Sequence, residues 1–197
     1  MSEARKRLVD TASRLFYAEG LHTVGIDRII AEAGVTKATL YRHFPSKDDL
    51  VVTYLGVADD ALRARVDEAR AQGRVADDVL RELAESIAED IRRPGFRGCA
   101  FLNAAAEYPD ADHPVHAAVL RHRDWFFATT AELFAETGKP DAEPAARHFV
   151  MLRDGAMAAG CLSDPVLVGE TFLRGVAGLL TYRSGIGDEM STETATV

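Results

Sequence analysis

Cysteine is scarce in this chain, which has only two, Cys99 and Cys161, among 197 residues. Two isolated thiols cannot supply the disulfide framework of a small secreted domain, and they are typical of reduced thiols in the cytoplasm. No apolar run approaches the ~18 residues that a membrane-spanning helix requires. The N-terminus lacks the apolar core of an export signal and carries charged residues instead. These absences predict a cytoplasmic protein that does not enter a membrane.

Motifs for common enzymatic chemistry are also missing. There is no Gly-rich phosphate loop and no Gly-x-Ser-x-Gly elbow. His113 and His116 have a spacing seen in metal sites, but no cysteine lies nearby, and we expect no metal there. The sequence therefore predicts no catalytic residues and no cofactor. An α-helical enzyme that acts through Glu107 and His122 remains a weaker alternative.

Apolar residues recur with helical spacing along most of the chain, and no stretch shows the alternation of a strand. This pattern predicts an all-α fold. The predicted helices cover residues 3–19, 26–33, 37–44, 46–72, 75–91, 98–108, 115–137, 143–162 and 165–182.

Residues 25–47 have the pattern of two short helices joined by a tight turn. The first has an apolar stripe and should end at Gly34, since glycine adopts the left-handed conformation without steric cost. Thr36 is a suitable N-cap for the second helix, and Pro45 should end it. Leu40 and Phe44 are one turn apart and are predicted to face inward. Two such helices with a glycine in the turn form a helix-turn-helix.

The outward face of the second helix is suited to DNA. Lysine and arginine neutralise phosphates, hydroxyl groups bond phosphates or base edges, and a small alanine fits against a thymine methyl. An ordinary helical hairpin with a solvated charged face is the alternative. The predicted DNA-binding residues are Thr36, Lys37, Ala38, Thr39, Tyr41, Arg42, His43 and Lys47.

The run from Ala33 to Lys47, AGVTKATLYRHFPSK, closely resembles the DNA-binding signature of TetR-type transcriptional repressors. Upstream, the pattern Ala12-x-x-Leu15-Phe16-x-x-x-Gly20 is similar to the first helix of that family. One departure is Gly25, where the family more often has a serine or threonine cap. The resemblance covers roughly residues 5–55.

This resemblance implies a ligand-responsive repressor that binds a near-palindromic operator as a homodimer and is released by a small-molecule effector. A DNA-binding domain would occupy residues 1–50 and a helical ligand-binding and dimerisation domain residues 51–184, with a disordered tail at 185–197. A DNA-binding protein that responds to no ligand is the alternative within the same class.

The net charge of −8 does not favour DNA binding by itself. Residues 1–50 hold 8 Lys/Arg against 7 Asp/Glu, whereas residues 51–197 hold 15 against 24. Because salt screens charges beyond about 10 Å, the local basic face matters more than the total. The acidity is predicted to belong to the second domain.

The last two predicted helices are rich in small residues. Glycine inside a helix costs about 1 kcal/mol relative to alanine, so its repetition indicates close helix–helix approach. Packing within one chain and a two-fold dimer interface both fit, and the resemblance favours the dimer. The small residues are Gly155, Ala156, Ala158, Ala159 and Gly160 on one helix and Gly169, Gly175, Ala177 and Gly178 on the other.

Aromatic and scattered polar residues between these two regions suggest an effector site, although a plain core is the alternative for each of them. Asn103 and Glu107 are one turn apart in an apolar helix and are expected to be buried, where a ligand would satisfy them. A neutral or weakly polar ligand is expected. The candidate residues are Cys99, Asn103, Glu107, His122, Trp125, Phe126 and Arg153.

Overall fold

The computed structural model describes residues 2–181, and within this range the chain is helical without any strand. The predicted all-α class is confirmed, and most predicted helix ends agree within two residues. The predicted tail at 185–197 lies outside the described residues. The helices are α1 (Glu3–Glu19), α2 (Ile26–Ala33), α3 (Lys37–His43), α4 (Lys47–Ala71), α5 (Ala76–Arg92), α6 (Ala100–Glu107), α7 (Pro114–Glu136), α8 (Ala142–Ala159) and α9 (Pro165–Thr181).

Helices α1 to α3 pack around apolar side chains that are continuous with the core of the later helices. The Ser2 hydroxyl caps α1 by accepting a hydrogen bond from Arg5 N. Arg28 on α2 binds the carboxylates of Glu19 and Glu32, which fastens α2 to the end of α1. Core side chains from these helices and their connectors are buried, among them Leu8, Ala12, Leu15, Phe16, Leu21, Val24, Ile29, Ala33, Leu40 and Phe44.

The helix-turn-helix forms as its local signals predict. Gly34 has φ 63° and ends α2, while the Thr36 hydroxyl accepts a hydrogen bond from Thr39 N at the start of α3. Leu40 and Phe44 are buried, as predicted. Gly25 begins α2 without a side-chain cap. The turn is therefore set by a left-handed glycine followed directly by a threonine cap.

Helix α4 connects the helix-turn-helix to the rest of the chain. A capping box of Ser46 and Asp49 starts it, and its 25 residues correspond to about 37 Å at 1.5 Å per residue. It packs on α1, α5, α6 and α7. The predicted domain boundary between residues 50 and 51 falls in its first turns and stays a prediction.

Helices α5 to α9 form a second helical layer. Helix α5 packs on α9, and α8 lies between α7 and α9. Phe126, Phe134 and Phe172 each contact Phe149, with ring centroids 6.1 to 6.2 Å apart. Such spacing is normal for aromatic pairs in a packed core. None of the helices in residues 2–181 is long and apolar enough to cross a membrane.

Helix α6 departs from the sequence prediction. Its composition suggests burial on most sides, but only Phe101 and Ala104 within it are buried. The prediction was wrong because alanine fills exposed helix positions as readily as buried ones. Helix α6 therefore has one face against α7 and another that is open to polar contacts.

Candidate nucleic-acid interface and effector cleft

The outward face of α3 is exposed. Thr36, Lys37, Ala38 and Arg42 are exposed, and the Tyr41 side chain is 45% exposed. Thr39 and His43 are half-buried. All the predicted residues of α3 are thus at least partly accessible.

The two positively charged side chains on the exposed face of α3, Lys37 and Arg42, differ in their partners. Lys37 Nζ lies 3.3 Å from an Asp27 carboxylate oxygen, an exposed pair that salt readily screens. Arg42 has no hydrogen-bond or ion-pair partner among residues 2–181. No acidic residue occurs in α3. The guanidinium of Arg42 is therefore the cation of this face that is most available to a phosphate.

His43 and Lys47 are tied to neighbouring segments. His43 Nε2 lies 3.2 Å from Ser2 Oγ, which joins α3 to the cap of α1. Lys47 Nζ donates to the His22 carbonyl at 3.5 Å, and partial burial lowers the pKa of Lys47. Lys47 thus contacts the connector between α1 and α2.

Comparison with known proteins agrees with this geometry. Residues 8–53 match the model of the bacterial regulatory proteins of the tetR family. A TetR-family transcriptional regulator from Streptomyces coelicolor, SCO4454, shares 64% sequence identity with a TM-score of 0.87, over 91% of this chain and 95% of that one. This chain belongs to the TetR family. It is a transcriptional regulator with a DNA-binding helix-turn-helix, and its relatives are regulators rather than enzymes.

More distant relatives share the fold and part of the sequence. The regulatory protein TetR from Rhodobacter sphaeroides is 26% identical with a TM-score of 0.75, over 88% of this chain and 99% of that one. The HTH-type transcriptional regulator YxaF of Bacillus subtilis is 36% identical over 72 residues, which are 34% of this chain and 38% of YxaF. This chain thus aligns with little more than a third of that curated relative.

A cleft of about 400 Å³ lies where α1, α4, α5, α6, α7 and α8 approach one another. Four predicted effector residues line it: Cys99, His122, Phe126 and Arg153. Its open side includes the exposed residues Arg65, Arg93, Pro94 and Gly95, whereas Cys99, Phe101, His122, Phe126, Arg153 and Met157 are buried.

His122 lies in the wall of this cleft and is only 3% exposed. Its ring stacks on Phe101 at a centroid distance of 3.5 Å, and Nδ1 lies 2.7 Å from Asp59 Oδ1. Burial lowers the pKa of His122 and outweighs the opposing effect of Asp59. Burial would raise the pKa of Asp59, but hydrogen bonds from His122 and Arg63 leave it below its usual value. A neutral imidazole that donates Nδ1–H to the carboxylate fits both shifts.

Arg153 is the buried cation of the cleft, with 8% exposure. Its Nη1 donates to Asp154 at 2.8 Å and its Nη2 donates to the Cys99 sulfur at 3.1 Å. The guanidinium carbon lies 5.5 Å from the centre of the Phe126 ring. Burial lowers the pKa of Arg153, but Cys99 and Asp154 outweigh burial and raise it. Arg153 is therefore a permanent positive charge beside an apolar cleft.

Three predicted effector residues lie elsewhere. Asn103 is exposed, and its amide donates to the Arg97 carbonyl at 2.8 Å, so the expected burial of Asn103 was wrong. Trp125 does not line the cleft and stacks under the Arg63 guanidinium, 4.2 Å from its ring centre. Glu107 is half-buried and already has hydrogen-bond partners. Helical spacing alone could not distinguish the two faces of α6.

Glu107 joins α6 to the connector between α1 and α2. Its two carboxylate oxygens accept hydrogen bonds from Leu21 N at 2.8 Å and His22 N at 2.6 Å. His22 Nε2 lies 2.8 Å from the Glu107 carbonyl oxygen. Gly20 has φ 94° and no side chain, which leaves room for the carboxylate. We call this set of contacts the α6–connector junction.

Sequence reasoning missed several residues that line the cleft. Tyr17, Tyr54, Arg65 and Arg93 are not among the predicted effector residues, yet all four line it. The Tyr17 hydroxyl also donates to Gly98 O and accepts from Arg97 N, both at 3.0 Å. Tyr17 lies in α1, about eighty positions before these partners, and no short-range signal could have found the contact.

Proposed function

We propose that this TetR-family regulator is a ligand-responsive repressor that binds a near-palindromic operator as a homodimer. The observation that carries the proposal is the position of α6. Residues at its start, Cys99 to Phe101, line the cleft, and its last residue, Glu107, holds the α1–α2 connector. A ligand in the cleft therefore acts on the same short helix that holds the DNA-binding part.

The α3 face provides the DNA contacts. Lys37, Arg42 and Lys47 bind phosphates, and hydroxyl groups on Thr36, Thr39 and Tyr41 position α3 in the major groove. Ala38 allows close approach to base edges, and His43 supports α3 through Ser2. These roles predict that binding depends strongly on salt concentration.

The outer faces of α8 and α9 support a dimer. Met151 on α8 is 70% exposed, Leu167 on α9 59%, and Leu162 in the turn between them 85%, an apolar exposure that a second copy would cover. A Cβ added at Gly155 or Gly178 would meet nothing within 4 Å in the same chain. Two helices from each subunit would then form a four-helix bundle.

The other glycines of these helices have partners within the chain. A Cβ on Gly160 would approach Ile91 at 2.7 Å, and one on Gly169 would approach Arg92 at 3.1 Å. Gly175 lies beside Leu152, at 3.1 Å. Packing within the chain therefore explains Gly160, Gly169 and Gly175, whereas the proposed dimer would explain Gly155 and Gly178.

Ligand response requires two states of the protein. An effector lowers operator affinity only if it binds the DNA-free state more tightly than the DNA-bound state. The cleft binds the effector through Cys99, His122, Phe126 and Arg153. The α6–connector junction transmits the change to α2 and α3.

Selection from a random duplex library tests the operator. We expect a near-palindrome whose half-sites lie about 34–36 Å apart, bound by an even number of chains as measured by light scattering of the complex. An asymmetric site bound by one chain would contradict the proposal. Operator binding that no compound in a broad library weakens would favour a ligand-independent DNA-binding protein.

A further inference from the structure

We infer that the effector cleft takes an organic anion, a carboxylate on an aromatic or similarly flat apolar body, and that Arg153 binds its charged group. The inference rests on the proposed function, in which this cleft is the effector site. It differs from the neutral ligand that the sequence favours, because the polar group that faces the cleft is Arg153 rather than Asn103 or Glu107.

The positive charge around Arg153 exceeds the negative charge. Asp154 is the carboxylate that contacts Arg153, and it is shared with Arg123, whose Nη2 lies 2.8 Å from Asp154 Oδ2. Two guanidinium groups thus depend on one carboxylate. A buried charge that is incompletely paired is costly, and an incoming anion would relieve that cost.

One donor of Arg153 has a weak partner. Nη2 donates to the Cys99 sulfur, and sulfur is a poorer acceptor than a carboxylate oxygen. Arginine and carboxylate form short, charge-assisted and often bidentate hydrogen bonds. A ligand carboxylate in the cleft could therefore accept a much stronger hydrogen bond from Nη2 than Cys99 does.

The carboxylates in and beside the cleft do not prevent an anion from binding, because each of them is already paired with an arginine. Asp59 pairs with Arg63 at 2.8 Å and accepts from His122, so its charge is matched. At the open side Asp90 pairs with Arg93 at 2.9 Å, while the contact of Arg65 is the Ser86 hydroxyl at 2.6 Å. Arg65 therefore adds another guanidinium to the cleft, and Arg65, unlike Arg153, has no carboxylate partner among residues 2–181.

Arg65 and Arg93 also border a neighbouring groove that contains several glutamates, whereas Arg153 lines the cleft and not that groove. Arg153 is therefore the stronger evidence for an anionic ligand. The remaining walls are mostly apolar and aromatic. Flat rings suit such walls because aromatic pairs prefer stacked or edge-to-face contact. The aromatic lining residues are Tyr17, Tyr54, Phe96, Phe101 and Phe126.

The test uses three compounds with one shape and three charges: naphthalene-2-carboxylate, naphthalene-2-carboxamide and naphthalene-2-carboxamidine. Binding to the full chain is measured by isothermal titration calorimetry without DNA. We expect the carboxylate to bind at least about tenfold more tightly than the amide, because of its charge-assisted hydrogen bonds. The cationic amidine should bind most weakly.

Variants locate the site. Arg153→Met should remove the preference for the carboxylate and leave amide binding within about twofold, since the apolar body keeps its walls. Arg153→Lys keeps the positive charge and should keep part of the preference. It provides a second test if Arg153→Met does not fold. Arg81→Met serves as the control, since Arg81 lies on the exposed face of α5 and pairs with Asp77 and Asp78.

Equal or tighter binding of the amide or amidine would overturn the inference, as would failure of all three compounds to bind at millimolar concentration. An unchanged carboxylate preference in both Arg153 variants would also overturn it.

Fluorescence anisotropy with labelled operator distinguishes failure of this inference from failure of the proposed function. If the carboxylate binds through Arg153 without weakening operator binding, the ligand class stands and the effector role of the cleft fails. If only neutral compounds release DNA, the role stands and the ligand class fails.

Discussion

The surroundings of His122 determine its protonation state, because it is buried, stacked on Phe101 and bonded to Asp59. Arg63 and Arg153 add positive charge nearby, and together with burial they keep the pKa of His122 below its usual value. The imidazole thus acts as a neutral hydrogen-bond donor in the wall of the cleft.

This shift predicts a dependence of stability on pH. A group whose pKa is lower in the folded state contributes stability above its unfolded pKa of about 6.5 and loses that stability as the pH falls. Thermal melting temperatures should therefore drop from pH 7.5 to pH 5, and His122→Gln should show a smaller drop. His148→Gln, at an exposed position of α8, is the control and should follow the wild type. Identical pH profiles for wild type and His122→Gln would contradict this account.

On the DNA face, Tyr41 and Lys37 should contribute differently. Tyr41→Ala should cost about 1–3 kcal/mol in operator affinity if the ring reaches a base edge. Lys37→Ala should weaken binding to all sequences and reduce the salt slope by about one unit, because one phosphate contact is lost.

Anisotropy titrations at several salt concentrations measure both effects. Arg81→Ala, on the far part of the chain, should behave as the wild type. Wild-type affinity and salt slope in both the Tyr41 and Lys37 variants would exclude this face from DNA binding.

Helix α6 is short, but it contacts both the cleft and the connector between α1 and α2. One end belongs to the cleft and the other holds the DNA-binding part through the Glu107 carboxylate. Hydrogen bonds to a charged group contribute about 1.5–3 kcal/mol, enough to couple two sites whose coupling energies are about 1–3 kcal/mol. In the proposed ligand response, helix α6 would therefore transmit the signal without a large movement.

Glu107→Gln should weaken that coupling. The amide keeps the size of the side chain, but its NH2 group cannot accept from Leu21 N or His22 N as the carboxylate oxygen does. We expect effector affinity to persist while effector-induced release from the operator falls about fivefold or more.

Asn103→Ala is the matched control for this prediction, since Asn103 lies one turn earlier on α6, is exposed, and contacts Arg97 rather than the connector. It should keep normal release. The coupling role fails if Glu107→Gln releases operator as the wild type does, or if Asn103→Ala loses release equally.

At the scale of the whole molecule, the proposed homodimer would determine how two α3 helices are presented to DNA. Gly155 and Gly178 face outward on the apolar surface of α8 and α9, with nothing of their own chain within 4 Å. A larger residue there costs little within the chain but would clash with a closely packed second copy. These two glycines therefore distinguish intrachain packing from dimer packing.

Gly155→Leu should convert the dimer to monomers and lower operator affinity, as measured by light scattering after size exclusion. Gly56→Leu is the control, because Gly56 is also helical and also has nothing within 4 Å. It should remain dimeric and become more stable by up to about 1 kcal/mol, since leucine is the better helix former. A wild type that is monomeric at micromolar concentration would contradict the dimer outright.

Local chemistry in the sequence was enough to predict the helices and the outward face of α3. Gly34, Thr36 and the pair Ser46–Asp49 determine helix ends through contacts only a few residues long, so their outcome hardly depends on the rest of the fold. The same holds for α3, whose inward and outward faces follow from the helical period alone.

The cleft was decided by tertiary structure. Arg153 lines it and Asn103 does not, although both are polar residues in helices, because burial depends on which face meets a distant helix. Glu107 acquired backbone partners in the α1–α2 connector, and Tyr17 met Gly98. These contacts join residues more than eighty positions apart, and no helical period encodes how two helices so far apart in the chain are packed.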